Sequence, residues 1–200
     1  MPYRDLRRLA GRFTTAAVQL EAQFSGSRVA SVRGFAVISL YAEWEEFSRR
    51  LLYSSAYAQP HAGYGAARRV TRAPGIRTHA DVEMSLRKYK RTRPQYRLIV
   101  HLGSPTQMAG ACQHLQLNNS TLITAAITSQ NSPADPLRLI RNYLSHQNSD
   151  TAQQVDLGRR RPKVDIDECL AWLGETMPGG RPRFGVWASD LADVARACAG

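Results

Sequence analysis

The feature that most constrains the fold is a long segment of helical periodicity from Val29 to Tyr57. Its first half is apolar on most sides, which predicts a buried helix. Its second half places Glu45 before Arg49 and Glu46 before Arg50, and these acid-first pairs have the i,i+4 spacing that stabilises helices. A strand would instead alternate with a period of two. We therefore expect a long helix here.

Shorter segments with the same periodicity predict an all-α chain. Ser104 and Ser132 each precede a proline, the pattern of a capped helix start. We expect further helices at about Tyr3–Phe24, Ser104–Leu115, Ser132–Gln147, Asp165–Glu175 and Phe184–Ala199. Thr121–Thr128 is ambiguous, and the stretch at about 59–80, rich in proline and glycine, predicts a long loop. The expected organisation is a helical domain over 1–150, with a helical extension over 151–200 packed on the same domain.

The charge of the chain favours a polyanionic partner. The sequence holds 27 Lys+Arg against 16 Asp+Glu, which gives a net charge of +11. Nearly all of the positive charge is arginine, which binds phosphate in a bidentate way, although a genome rich in G and C would also favour arginine.

No apolar run approaches the roughly 18 residues that a membrane span needs. The three cysteines are far apart, so we expect no disulfide framework and a cytoplasmic location.

A basic run lies in and after the expected loop, and only Asp81 and Glu83 oppose it. Such a run predicts electrostatic attraction to a nucleic-acid backbone. The residues of this run that we expect to bind a nucleic-acid backbone are Arg68, Arg69, Arg72, Arg87, Lys88, Lys90, Arg91 and Arg93.

The segment from Leu137 to His146 predicts a helix with one apolar and one polar face. At about 100° per residue, the leucines, Ile140 and Tyr143 fall on one side. The polar face carries Arg138, Arg141, Asn142, Ser145 and His146. A histidine can transfer protons near neutral pH, and an arginine can stabilise a phosphate as charge develops on it. A polar face with one histidine is, however, most often only a solvated surface.

The local string from Leu139 to His146 resembles the signature of the HEPN superfamily, an arginine followed by a polar residue and, a few residues on, a histidine. Arg141, Asn142 and His146 match these three positions. The stretch Leu40–Phe47 is similar to the long second helix of prokaryotic members. The resemblance covers about residues 3–147 and leaves the C-terminal third unexplained.

The resemblance implies an up-and-down helical bundle that forms a homodimer, with a composite active site at the dimer interface, and it identifies RNA as the expected partner of the basic run. It also implies metal-independent cleavage of RNA by attack of the 2′-hydroxyl, often in a toxin or an abortive-infection effector. By this resemblance His146 is the acid/base, Arg141 holds the phosphate and Asn142 assists them. We add Arg138, Ser145 and Glu45 as supporting candidates, although Glu45 is more simply explained as a surface charge.

Two alternatives to this enzyme remain open at the level of sequence. The same bundle could bind nucleic acid or nucleotide without cutting it, or it could be a regulatory subunit whose polar helix is only a surface. A toxin subgroup carries a modifiable tyrosine two residues after the histidine, but Asn148 stands here. We therefore expect any antitoxin or inhibitor protein to act by another route. No metal-ligand spacing or phosphate loop is present in the sequence, so we expect no metal or cofactor.

Overall fold

A computed structural model describes residues 6–57, 73–91, 102–129, 132–155 and 165–199, and these residues form an all-α structure. An isolated β-bridge between Thr176 and Pro182 is the only β pairing among them. The helices are α1 (Leu6–Gly26), α2 (Ala30–Tyr57), α3 (His79–Arg91), α4 (Pro105–His114), α5 (Ser120–Ile127), α6 (Ala134–His146), α7 (Ser149–Gln154), α8 (Ile166–Gly174) and α9 (Arg183–Ala199).

The centre of the molecule is α1, which lies between α2 and α9 and runs antiparallel to both. The Phe13 ring packs against the rings of Trp44 and Phe47, with centroids 5.6 and 5.5 Å away. At the other end of α1, the Phe24 ring stacks on Phe184 at 4.5 Å. Aromatic pairs of this kind add to the free energy gained by burying apolar surface. The expected helical bundle is therefore confirmed, with a single connected hydrophobic core.

The remaining helices surround this centre. Helix α6 packs against α2, and α5 packs against both α4 and α9. Helix α3 lies beside α2 and α4, where the His114 Nε2 atom is 3.2 Å from the Ser85 hydroxyl. Helices α8 and α9 share the core with the earlier helices, while the expected domain boundary near residue 150 stays a prediction.

The region predicted as a loop at 59–80 is only partly described, and its end differs from the prediction. Residues 73–78 form a turn, but His79 already begins α3, a helix that the sequence analysis did not predict. Its start is a reciprocal cap, in which the Thr78 hydroxyl accepts from the Asp81 N–H and the Asp81 carboxylate accepts from the Thr78 N–H. The backbone N–H groups of Arg77 and Thr78 both donate to the Asp81 carboxylate, and these hydrogen bonds lower its pKa. The ambiguous stretch at 121–128 is helix α5.

Two predicted caps were wrong in detail. Ser104 occupies the N-cap position of α4, but its side chain makes no cap hydrogen bond. Pro133, rather than Ser132, precedes α6, and it too provides no side-chain cap. By contrast, Asp165 does cap α8, since its carboxylate accepts from the Glu168 N–H at 2.6 Å.

Within the described ranges, no helix is long and apolar enough to cross a membrane.

Candidate active site

Helix α6 has the two faces that the sequence predicts. Leu137, Ile140, Tyr143 and Leu144 are buried in the core, and Leu139 packs partly against it. On the other side, Arg138, Arg141 and Asn142 are half-buried, whereas Ser145 and His146 are exposed. The polar side chains therefore lie at the surface of the bundle, but not to the same depth.

The guanidinium of Arg141 is held by two neighbours. Its Nη1 donates to the Asn142 Oδ1 at 3.0 Å. Its Cζ lies 5.8 Å from the ring centroid of Tyr41 on α2, within the range of a cation–π interaction. The Arg141 Nε is buried and has no hydrogen-bond partner among the described residues. The guanidinium is thus directed towards α2 and retains donors for a further acceptor.

Tyr41 is the most buried polar residue of this site. Its side chain is 1% exposed, and its hydroxyl has no hydrogen-bond partner in the part of the chain that is described. Burial raises the pKa of Tyr41, the carboxylate of Glu45 raises it further, and Arg138 and Arg141 oppose this rise. The phenol is therefore neutral at physiological pH.

A turn before α4 covers Tyr41 and Glu45. A Cβ atom at Gly103 would lie only 2.7 Å from the Glu45 Cγ and 2.8 Å from the Tyr41 hydroxyl oxygen, so this close approach requires glycine. The Gly103 carbonyl accepts from the Trp44 indole N–H at 2.9 Å. The turn is thereby fixed to α2 beside the Tyr41 ring that Arg141 faces.

Arg138 lies one turn before Arg141 and carries an acidic partner. Its Nε is 3.3 Å from the Asp135 Oδ1, and both side chains are partly exposed. A salt bridge in this setting contributes little to stability, typically below about 1 kcal/mol. Arg138 can therefore exchange its carboxylate for a phosphate at little free-energy cost.

His146 is the last residue of α6. Gln147 follows it in the left-handed conformation, with φ of 48°, and ends the helix. Among the described residues, no hydrogen bond or ion pair joins His146 to another side chain, Arg141 and Asn142 included. Asn148 caps α7, because its side chain accepts from the Thr151 N–H at 2.9 Å. Asn148 is therefore a helix cap, at the position where the sequence departs from the toxin subgroup with which it was compared.

The structure brings only some of the other predicted residues near this site. Glu45 does not pair with Arg49, whose ion pair is with Glu46 at 3.0 Å; Glu45 instead lies beside Tyr41 and Gly103. The expected pair of Glu46 with Arg50 is present.

Of the expected RNA-binding residues, Arg87 and Lys88 are exposed on α3. Lys90 and Arg91 belong to the same helix, but their side chains lie outside the described part. The remaining four, Arg68, Arg69, Arg72 and Arg93, lie outside the described residues altogether. That the basic run binds RNA therefore stays a prediction.

The described residues contain no group of histidine, cysteine or acidic side chains that could hold a metal ion. The three cysteines are free and buried, and burial raises the pKa of each thiol to about 12. Among the described residues, the polar groups on α6 and against it are guanidinium, amide, hydroxyl, imidazole, phenol and carboxylate.

Sequence reasoning missed Tyr41, Gly103 and Asp135 as parts of this site. Tyr41 precedes Glu45 by one helical turn, a spacing that does place the two side chains together. Gly103 comes from a turn far away in sequence, and no local pattern links it to α2. Asp135 lies three residues before Arg138, and this spacing on a helix could have indicated their ion pair.

Comparison with protein-family models, with curated proteins and with solved structures gives no significant match. The function must therefore be argued from the residues themselves.

Proposed function

We propose that this protein is a metal-independent endoribonuclease of the HEPN type. The observation that supports this most directly is the arrangement of α6, where Arg141 is held by Asn142 and Tyr41 while His146 is exposed at the end of the same helix. An oriented guanidinium and an accessible imidazole are the two groups that RNA cleavage requires when the nucleophile is already in the substrate.

In this reaction the 2′-hydroxyl of RNA attacks the adjacent phosphorus, and the bond to the 5′-oxygen breaks. The hydroxyl proton passes to a base, and an acid returns a proton to the leaving 5′-oxygen. Arg141 and Arg138 stabilise the charge on the phosphate, with Asn142 orienting Arg141. His146 of one protomer serves as base and the same histidine of a second protomer serves as acid. The products are a 2′,3′-cyclic phosphate and a 5′-hydroxyl.

The test uses purified protein with single-stranded and structured RNA in the presence of EDTA. We expect the wild-type protein to cut and the variants His146→Ala and Arg141→Ala to lose cleavage. His114→Ala is the matched control for the histidine, since His114 is also exposed at a helix end. Arg49→Ala is the control for the arginine, because its side chain is exposed on α2.

Equal cleavage by His146→Ala and the wild-type protein would show that the assigned site is wrong. Cleavage that EDTA abolishes would contradict the metal-independent mechanism. The ends of the fragments provide a further check, because an enzyme that uses the 2′-hydroxyl leaves a cyclic phosphate, whereas one that activates water need not.

One observation favours a second candidate, a module that binds RNA without cutting it. Among the described residues, no hydrogen bond or ion pair joins His146 to the group formed by Arg141, Asn142 and Tyr41. The arginines alone would still bind phosphates, with an affinity that falls as salt rises. Binding by the wild-type protein without any cleavage would favour this module over the enzyme.

As an endoribonuclease, the protein would act in the cytoplasm as a toxin or an anti-phage effector. We propose a homodimer whose interface brings two copies of α6 together to complete the site, and an inhibitor protein that restrains it. Expression of the wild-type protein in bacteria should then arrest growth, whereas His146→Ala should be tolerated at equal abundance.

A further inference from the structure

The arginine that we assign to the phosphate is not held by α6 alone. Asn142, the next residue on α6, contacts it through a single hydrogen bond, and Tyr41 faces it from α2. An arginine side chain has many rotamers, and fixing it in one of them costs conformational entropy. A rigid neighbour that holds the guanidinium of Arg141 in one direction lowers the entropy that remains to be lost when a phosphate binds.

Tyr41 is held rigidly itself. It is 1% exposed, Gly103 lies against its hydroxyl, and the Gly103 turn is fixed by the hydrogen bond from Trp44. An aromatic ring that cannot move offers a fixed face to a cation, and the attraction is larger where water is excluded. The Nε of Arg141 is buried at this site, so the side of the guanidinium that carries it has lost its water.

We infer that Tyr41 is a positioning residue for Arg141, and that its ring, rather than its hydroxyl, keeps the guanidinium directed for a phosphate of RNA. The role of Tyr41 in RNA binding rests on the proposed function. The orientation of Arg141 does not, and it can be measured without any substrate.

The orientation is tested by the NMR signal of the Arg141 Nε–H, assigned from its loss in Arg141→Lys. A buried Nε–H exchanges slowly with water, so we expect a sharp signal that persists at mildly alkaline pH. Tyr41→Phe should keep this signal, and Tyr41→Leu should lose it through fast exchange. Phe47→Leu is the matched control, because it also removes a buried ring from α2 but one that packs against Phe13 and Trp44.

The consequence for binding is tested with an RNA whose 2′-hydroxyls are replaced by hydrogen, which no enzyme of this mechanism can cut. Tyr41→Leu should weaken binding by roughly three- to thirtyfold, whereas Tyr41→Phe and Phe47→Leu should bind like the wild-type protein. In an Arg141→Ala background, Tyr41→Leu should have no further effect, because the two residues act through one contact.

Three results would overturn the inference: an unchanged Nε–H signal in Tyr41→Leu, an equal loss of binding in Tyr41→Phe, or a full effect of Tyr41→Leu without Arg141. Tyr41→Met replaces Tyr41→Leu in every assay if the leucine variant does not fold. A protein that binds RNA through Arg141 and Tyr41 but never cuts it would refute the endoribonuclease while leaving the positioning role intact. A protein that binds no RNA would refute the RNA-binding role of Tyr41, and the NMR signal would still decide the orientation of Arg141.

Discussion

The two ends of the polar face on α6 differ in how firmly the fold holds them. Arg141 and Asn142 are half-buried and bonded to each other, and Tyr41 faces the guanidinium from α2. His146, five residues later, is exposed at the last position of the helix. Contacts between α6 and α2 therefore fix the Arg141 end of the face. The His146 end is placed only by the last turn of α6.

This difference separates two requirements of the proposed chemistry. A group that binds phosphate gains from being held in one orientation before the substrate arrives. A group that transfers protons must reach the reacting atoms, and here it can do so only at the surface. A second protomer placed over α6 would supply the enclosure that His146 lacks within the monomer.

The largest expected effect concerns the exposed end. His146→Ala should reduce cleavage by roughly a hundredfold or more, as the loss of a general acid or base does. Its free energy of unfolding should stay within about 0.5 kcal/mol of the wild-type value, since exposed side chains contribute little. RNA cleavage and urea unfolding measure the two quantities. A large loss of stability would mean that His146 has a structural role instead.

A substitution at Gly103 tests the other end of the polar face, where Arg141 faces Tyr41 on α2. Gly103→Ala places a Cβ too close to Glu45 and Tyr41, and we expect a loss of about 1–3 kcal/mol in the free energy of unfolding, as for other overpacked sites. The control is Gly11→Ala on α1, where no other atom lies within 4 Å. That change should stabilise the protein by about 0.5–1 kcal/mol, because alanine is the better helix former. Similar effects of the two substitutions would show that the turn does not press on α2.

A smaller effect of opposite sign is expected for Tyr41→Phe. The buried hydroxyl lacks a partner among the described residues, so its removal should stabilise the protein by about 1 kcal/mol. The advantage should grow as the pH rises above 10.0, the ordinary pKa of tyrosine. Above that value the Tyr41 phenol ionises in the unfolded state while burial keeps it protonated in the folded state, which adds a loss of stability to the wild-type protein that Tyr41→Phe does not share. Chemical unfolding at neutral and alkaline pH measures both; a destabilised variant would point to a bound partner for the hydroxyl.

The smallest change in stability is expected for Arg138→Ala, below about 1 kcal/mol, because its salt bridge with Asp135 is partly exposed. The effect of Arg138→Ala on RNA binding should be larger than its effect on stability. Loss of one phosphate contact should weaken binding to all sequences and lower the slope of log affinity against log salt by about 1. An unchanged slope would remove Arg138 from the RNA-binding surface and confine that role to Arg141.

Much of the fold could be predicted because the apolar spacing that indicates a helix lies within one short segment of sequence. The long periodic segment at 29–57 is α2, and the apolar spacing over 137–144 gave the correct buried face of α6. Helix α3 was missed because it is polar and follows a stretch rich in proline and glycine. A local signal did exist, since Thr78 and Asp81 have the spacing of a reciprocal cap.

The site was less predictable, because its geometry depends on contacts between distant segments. The residues of the motif share one helix, so their common face could be deduced from spacing. Tyr41 and Gly103 come from two other elements, and periodicity does not say which elements meet. The pairing of Arg49 failed for a related reason, since Glu46 competes for it and the packing of Glu45 decides the outcome.

The pairing of α1 with α9 has a consequence for how the protein is made. Glu21 and Arg181 form an ion pair across 160 residues of sequence, and Phe24 and Phe184 stack beside it. A ribosome delivers the N-terminal helices first, so one side of α1 stays exposed until α9 has been synthesised. The core can then close only after α9 has been synthesised, and a nascent chain without α9 presents the apolar surface that chaperones bind.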